Sequence, residues 1–419
     1  MPEKSETPKG LTLHRAFRDA LTSARFERYR ADSRVRVATE EEFERMRRHL
    51  LAMHEGVEVQ HSFVDAAGHV FDCVPLSQQP SLKGQGQKSP VPEAPSLLDL
   101  TGAKAAPSST DTKSMTPESN QVDRYGNAMR CPPGCVPIRR VTLGELTRFN
   151  TLADFFRKRP PLNPSAPSSD ISQNHRYAYT QQDVNNLGAH NFLNVWSPSV
   201  GTHQIFSLSQ HWYAAGSGSA HQTLEVGWQV YPGKYGHSQP VLFIYWTADN
   251  YGSTGAYNLD GPGFVQTNPA WTIGGALSPV SADGGAQYEV EVAVYLFRGN
   301  WWLYLGGITA DKAVGYFPAS IYAGGAMASN ATSILFGGET VCDGTGPWPP
   351  MGSGQMASAG WTHAAYHRDI FFFPTAGGAQ YATLTGHTPS PACYTQAVGN
   401  ALAPWNIYFF YGGAGAGDC

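Results

Sequence analysis

Four glutamates occur in the last 249 residues of this 419-residue chain: Glu225, Glu289, Glu291 and Glu339. Glu289 and Glu291 alternate with valines, which predicts the solvated face of a strand. Glu225 lies in Gln222-Thr-Leu-Glu-Val-Gly-Trp-Gln-Val-Tyr231 and Glu339 in Ile334-Leu-Phe-Gly-Gly-Glu-Thr-Val-Cys342, both among apolar and aromatic residues. A carboxylate in such surroundings is costly unless it is paired, hydrogen-bonded or protonated. Two such carboxyls brought together do not both ionise readily. One then serves as general base on a water while the other donates a proton, which suits acid hydrolysis of a peptide or a glycosidic bond. Residue type alone leaves both substrates open.

Other chemistries find little support. HExxH, GxSxG and P-loop patterns are missing, and no Gly-rich stretch joins a strand to a helix. His363 and His367 have metal-compatible spacing only on a helix, yet they run into a strand-like Ile370-Phe-Phe-Phe373. Neither a metal nor a cofactor is expected. The formal net charge of −4 excludes a global nucleic-acid footprint, and no apolar run is long enough to span a membrane.

The elements that must position these residues differ along the chain. Residues 1–170 carry 24 Lys+Arg and 21 Asp+Glu, whereas residues 171–419 carry 5 and 12. The two parts therefore bear opposite net charges, which favours docking of one on the other. In the front part, Thr39-Glu-Glu-Glu42 predicts a capped helix with a Phe43, Met46, Leu50, Met53 stripe. Short strands follow, then a Pro/Ser-rich stretch over 76–120 read as a structureless linker. A second helix is expected over 142–156. The Arg157–Arg159 cluster reads as a solvated linker face, and 157–170 as a protease-accessible boundary. Beyond 171, strands are expected over 192–196, 204–211, 222–231, 241–247, 288–298, 301–305, 333–339 and 407–411. Such a succession predicts an all-β, antiparallel β-sandwich of the jelly-roll or concanavalin-like kind.

The body also carries a series of motifs in one order: Glu225-Val-Gly-Trp-Gln-Val-Tyr-Pro232, Phe243-Ile-Tyr-Trp-Thr247, Gly263-Phe-Val-Gln-Thr-Asn268, Val314-Gly-Tyr-Phe-Pro-Ala319, Gly337-Gly-Glu339 and Tyr408-Phe-Phe-Tyr-Gly-Gly413. Cys131-Pro-Pro-Gly-Cys-Val-Pro-Ile-Arg-Arg140 precedes them. In these motifs the chain resembles the neprosin family of secreted glutamic peptidases that cleave at proline. The resemblance implies catalytic roles for Glu225 and Glu339, and a small α+β activation propeptide over 1–170 before a peptidase domain over 171–419. It further implies self-processing in acid, inhibition by the chain's own propeptide, and bridges Cys73–Cys131 and Cys393–Cys419. Where such sequences usually carry a further pair of cysteines, this chain has Ala256 and Asp260. Cys135 is extra, and a Cys135–Cys342 bridge is a guess.

Proline rings pack on aromatic faces, so Trp228 and Tyr245 are candidates for substrate binding, among a set with Trp246, Trp271, Trp301 and Trp302. Gln210, Gln266 and Gln355 are candidates for stabilising an oxyanion. The expected partners are proline-containing peptides or proteins, with no nucleic acid or membrane, and the chain is expected to be a monomer. Six cysteines at wide spacing suit an oxidising compartment, so an extracellular location is expected, although MPEKSETPKGLTLHRAF lacks the apolar core of a leader. Asn330-Ala-Thr332 fits a glycosylation acceptor. Alternative readings are a carbohydrate-active sandwich, glycosidase or lectin-like, and an inactive cell-wall protein.

Overall fold

The computed structural model describes residues 8–83, 91–101, 111–117, 121–158, 175–344, 346–416 and 419. The boundary expected at 170 lies outside them. The front part begins with α1 (His14–Ser23), α2 (Phe26–Tyr29) and α3 (Glu40–His54). Thr39 caps α3 by accepting the Glu42 amide at 3.3 Å, and Phe43, Met46 and Leu50 are fully buried along one stripe. Strand β2 (Val70–Pro75) pairs with β1 (His61–Val64) on one side and β4 (Cys135–Arg139) on the other in a three-stranded antiparallel sheet.

The expected linker over 76–120 is more ordered than its composition suggests. Its described parts include α4 (Leu98–Thr101) and β3 (Thr112–Ser114). β3 pairs with the body, and Leu97 is fully buried. The Gln79 side chain donates to the Gln266 carbonyl and accepts its amide, at 2.9 and 2.7 Å. Contacts with an existing sheet edge offset the ordering entropy that composition alone leaves uncompensated. The front part closes with α5 (Leu143–Leu146) and α6 (Leu152–Phe156). A Thr142–Glu145 capping box starts α5, and Thr151 caps α6 on the Asp154 amide.

The body is all-β. It comprises β5 (His175–Asn194), β6 (Gln204–Ala215), β7 (Gln222–Val230), helix α7 (Pro232–Tyr235), β8 (Val241–Thr247), β9 (Ala256–Tyr257) and β10 (Val265–Gln266). β11 (Gln287–Phe297), β12 (Asn300–Leu305), β13 (Ala313–Pro318), β14 (Ala331–Cys342) and β15 (Ala365–Pro374) follow. β16 (Gln380–Tyr381), β17 (Thr385–His387), β18 (Thr395–Asn400) and β19 (Ile407–Gly412) complete it. With β3, these strands form one curled, sandwich-like sheet whose main path runs β10-β13-β12-β11-β5-β14-β6-β7-β8-β9. The 20-residue β5 is central, pairing with β11, β14, β15 and β17.

Parity along the strands sorts side chains between two faces. On β7, Leu224, Val226, Trp228 and Val230 enter the main core, while Thr223, Glu225, Gly227 and Gln229 take the other face. That second face is where the front part sits. Phe43, Met46, Leu50 and Phe155 share a hydrophobic cluster with Phe206, Leu208, Tyr231, Phe243 and Tyr245. Polar contacts reinforce the docking. Arg139 is paired with Glu145 and lies 3.6 Å from Asp260, while Lys234 lies 3.2 Å from the same Asp260. Asp260 thus anchors a front-part arginine.

Glu289 departs from the solvated face expected for it. It is fully buried, held by the Arg368 guanidinium, by the Tyr366 hydroxyl at 2.9 Å and by the Thr112 hydroxyl at 3.0 Å. Glu291, half-buried, accepts from His190 at 3.0 Å. The alternation of Tyr288–Leu296 is real, but a second layer covers both faces. Cys73–Cys131 and Cys393–Cys419 are disulfide-bonded, while Cys135 and Cys342 are free and buried in separate clusters, which removes the guessed bridge between them.

Candidate active site

Glu225 on β7 and Glu339 on β14 stand on the same face of the sheet, with β6 between them. Across the ladders Glu225 faces Trp212 and Glu339 faces Leu208, leaving Gln210 between the two glutamates. Gln210 itself faces Gly227 on one side and Gly337 on the other. Gly337 has φ 152°, and a Cβ there would fall 2.4 Å from the Ala178 carbonyl oxygen, so only glycine fits. The two side chains can therefore lean toward each other over Gln210.

A single cation joins them. Lys158, two residues beyond α6, puts Nζ on Glu225 Oε2, at 3.0 Å from Glu339 Oε2 and at 2.9 Å from Gln210 Oε1. Its side chain is 3% exposed. The Lys158 amide also donates to the Tyr245 hydroxyl at 3.3 Å. Two oxygens held by one nitrogen lie within roughly 6 Å of each other, the reach of two hydrogen bonds. The solvated reading of Arg157–Arg159 thus fails at its middle residue: Lys158 is buried because two buried carboxylates compensate the cost of desolvating an ammonium.

The outer oxygens are held separately. Glu225 Oε1 accepts from the Thr223 hydroxyl at 3.0 Å and the Tyr251 hydroxyl at 2.8 Å. Glu339 Oε1 accepts from His175 Nδ1 at 2.6 Å and the Tyr177 hydroxyl at 3.0 Å. Each carboxylate thus has one oxygen fixed and one turned to the shared space that the ammonium fills. That arrangement can do general acid–base chemistry on a substrate carbonyl once the ammonium leaves.

A cavity of about 330 Å³ opens beside the ammonium, lined in part by Tyr177, Tyr179, Trp212, Tyr251, Leu335 and Glu339. The Tyr179 and Trp212 rings lie 5.9 Å apart. Of the aromatic residues singled out from sequence, Tyr245 faces Glu225 across the β7–β8 ladder without lining this cavity, and the others fall elsewhere. Trp228 points into the sandwich and donates to the Asn194 carbonyl at 2.8 Å, because it has the opposite parity to Glu225. Tyr245 is on the glutamate face but buried beneath the front part. Trp246, Trp271, Trp301 and Trp302 are buried in hydrophobic clusters. Gln266 is tied to the Asn268 and Trp271 carbonyls, and the exposed Gln355 donates to Asp283 at 3.2 Å, both away from the glutamates. Of the three glutamines, the structure brings only Gln210 to the pair.

Sequence reasoning missed Lys158, His175, Tyr177, Trp212 and Tyr251. Parity relative to Glu225 and Glu339 would have found Trp212, given the strand pairing. Lys158 had one signal: a buried acid pair needs a cation, and the body offers few. His363 lies on a turn against Asp283, while His367 is fully buried on β15 with Ser209, so the two do not share a site. No group of three metal-ligating side chains occurs among the described residues.

A family model described as Neprosin matches residues 203–414, half of the chain. This places the chain among the glutamic-type peptidases. It belongs to the neprosin family. Among solved structures, the scytalido-glutamic peptidase with a transition-state analogue inhibitor is 11% identical, with a TM-score of 0.28 over 57% of this chain and 97% of that one. SCP-B, a member of the Eqolisin family of peptidases in complex with the tripeptide Ala-Ile-His, is 10% identical with the same score and coverage.

Proposed function

We propose that the chain is the zymogen of an acid-active endopeptidase that cleaves at proline, with Glu225 and Glu339 as its catalytic pair. The observation that carries this reading is the shared ammonium: two glutamates far apart in sequence converge on one nitrogen. In the active form, an ionised glutamate takes a proton from water, whose oxygen attacks the substrate carbonyl carbon. The other glutamate gives its proton to the carbonyl oxygen, forming a neutral gem-diol. The first then protonates the leaving nitrogen, the second recovers a proton from a hydroxyl, and the C–N bond breaks. Both carboxyls end as they began. The Gln210 amide group lies beside this space and is suited to orient the carbonyl.

Lys158 explains latency. Its ammonium occupies the space where water and carbonyl must meet, and neutralises the charge of the pair. Protonation of the carboxylates in acid removes the attraction that holds it. The stretch from Arg159 to Asp170 contains Pro160, Pro161, Pro164 and Pro167, so self-cleavage is proposed between Lys158 and His175. After removal of the front part, Tyr179, Trp212 and Leu335 offer apolar walls for a proline ring. Two disulfides suit an oxidising, extracellular setting, and no described helix is long and apolar enough to cross a membrane.

The test compares a proline-containing peptide with its Pro→Ala counterpart at acid and neutral pH, alongside an oligosaccharide panel. Acid cleavage confined to the proline peptide supports the reading. Sugar release with intact peptides would replace it by a glycosidase.

A further inference from the structure

The two glutamates are flanked unequally. Around Glu225 Oε1 both partners are hydroxyls, Thr223 and Tyr251. A hydroxyl donates or accepts, so this shell adapts to a carboxylate or to a carboxylic acid. Around Glu339 Oε1 one partner is the ring nitrogen of His175, which against a carboxylate must carry the proton. An N–H cannot accept, and a donor fixed at 2.6 Å favours the charged form of the acid it meets. His175 is nearly buried, and its ring packs edge-on against Phe206 of β6, with centroids 6.3 Å apart. Tyr177 lies beside it on β5. Charged groups facing it among the described residues include Glu339 on β14, which in turn meets Lys158 from the front part and, through Lys158, Glu225 on β7, together with the neighbouring Arg176. Arg176 donates to the His175 carbonyl while its guanidinium stacks on Trp348 at 4.5 Å.

We infer that His175 is a positioning residue that makes Glu339 the ionised member of the pair, so that Glu339 is the base and Glu225 holds the proton. The inference rests on the catalytic pair proposed above. His175 and Tyr177 lie on β5, outside residues 203–414 that the family model matches, whereas Thr223 and Tyr251 lie within them. β5 is held in the sheet by its pairing with β11, β14 and β15, so His175 stays with the body when the front part is lost.

The experiment measures kcat and kcat/KM against pH for the acid-processed chain and its His175→Ala and His175→Asn variants on one proline-containing peptide. In His175→Ala, kcat should fall about 10- to 100-fold with little change in KM. The acid limb of kcat/KM should move up by roughly one pH unit, because the carboxylate loses the donor that favours its charge. His175→Asn offers a weaker N–H donor than the imidazole, so it should recover part of kcat and move the limb up by less than the alanine variant does. An acid limb unchanged in His175→Asn overturns the proposal, and so does an unchanged limb in His175→Ala. If the alanine variant does not accumulate folded, the asparagine variant decides. Glu339→Gln, assayed alongside, separates the failures: activity in that variant would remove the pair itself, whereas its inactivity beside wild-type-like His175 variants would remove only the role of His175.

Discussion

The Lys158 ammonium lies 3.0 Å from Glu339 Oε2, although 181 residues separate the two in the chain. The same nitrogen meets Glu225 and Gln210, so one side chain of the front part closes the whole site. Removing that charge leaves two facing carboxylates that take up a proton between them. Lys158→Met should therefore process itself at a pH about one unit higher than wild type. Lys158→Arg, which keeps the charge, should stay close to wild type. The pH of half-maximal processing, read by mass, checks both.

A second acid response is expected at the interface between front part and body. His69 donates to the Tyr235 carbonyl at 2.8 Å, and its ring lies 4.7 Å from that of His237. Asp65, Glu145 and Arg139 face the pair. Burial lowers both histidines; with the charge of His69 as the next cause, His237 is pushed down to about 4. A lowered value favours the neutral ring, so the docked form is fully stabilised above the ordinary histidine range. That stability is lost as pH falls from about 6.5 toward 4. His237→Gln cannot charge, so its processing should need more acid by roughly half a pH unit. A titration of processing rate against pH reads the shift.

The legible part of this molecule was what strand periodicity and scarcity carry. Glu225 and Glu339 stood out because buried carboxylates are rare in a body with so few acids, and the α3 stripe and the β11 alternation followed from spacing. The long β5 was mostly hidden. Its stretch His175-Arg-Tyr-Ala-Tyr-Thr-Gln-Gln-Asp-Val-Asn-Asn is polar, and only its pairing with four other strands explains its extended form. Trp228 was misplaced because composition ignores which face a residue takes, and Glu289 because its covering Arg368 comes from a strand 79 residues away. Lys158 was hidden because docking of the two parts, expected from their charges, does not say which side chain of the front part meets the glutamates.

Glu289 and Arg368 should repay a stability measurement. Both are fully buried, and Arg368 also donates to the Pro404 carbonyl at 2.6 Å. Arg368→Met leaves a buried carboxylate without its cation and should cost about 3–5 kcal/mol. The double variant Glu289→Gln/Arg368→Met should recover much of that loss, since neither charge then remains uncompensated. Denaturant midpoints of the single and double variants give the comparison.

Groove variants address the proposed preference for proline. Trp212 faces Glu225 across the β6–β7 ladder and lines the cavity with Tyr179. Trp212→Ala removes an apolar wall without touching either carboxylate. It should raise KM for proline-containing peptides by about 10-fold, in line with a loss of roughly 1–2 kcal/mol of apolar contact, and change kcat less.

Glu225 and Glu339 are proposed to cut this chain's own front part together. The direct measurement is the mass of the purified wild-type, Glu225→Gln and Glu339→Gln chains after incubation in acid. The wild-type chain should lose a front fragment ending between Lys158 and His175. Each glutamine variant should remain full length, its processing slowed about 100- to 10,000-fold by the loss of an acid–base group. Wild-type-like processing by either variant would contradict the account.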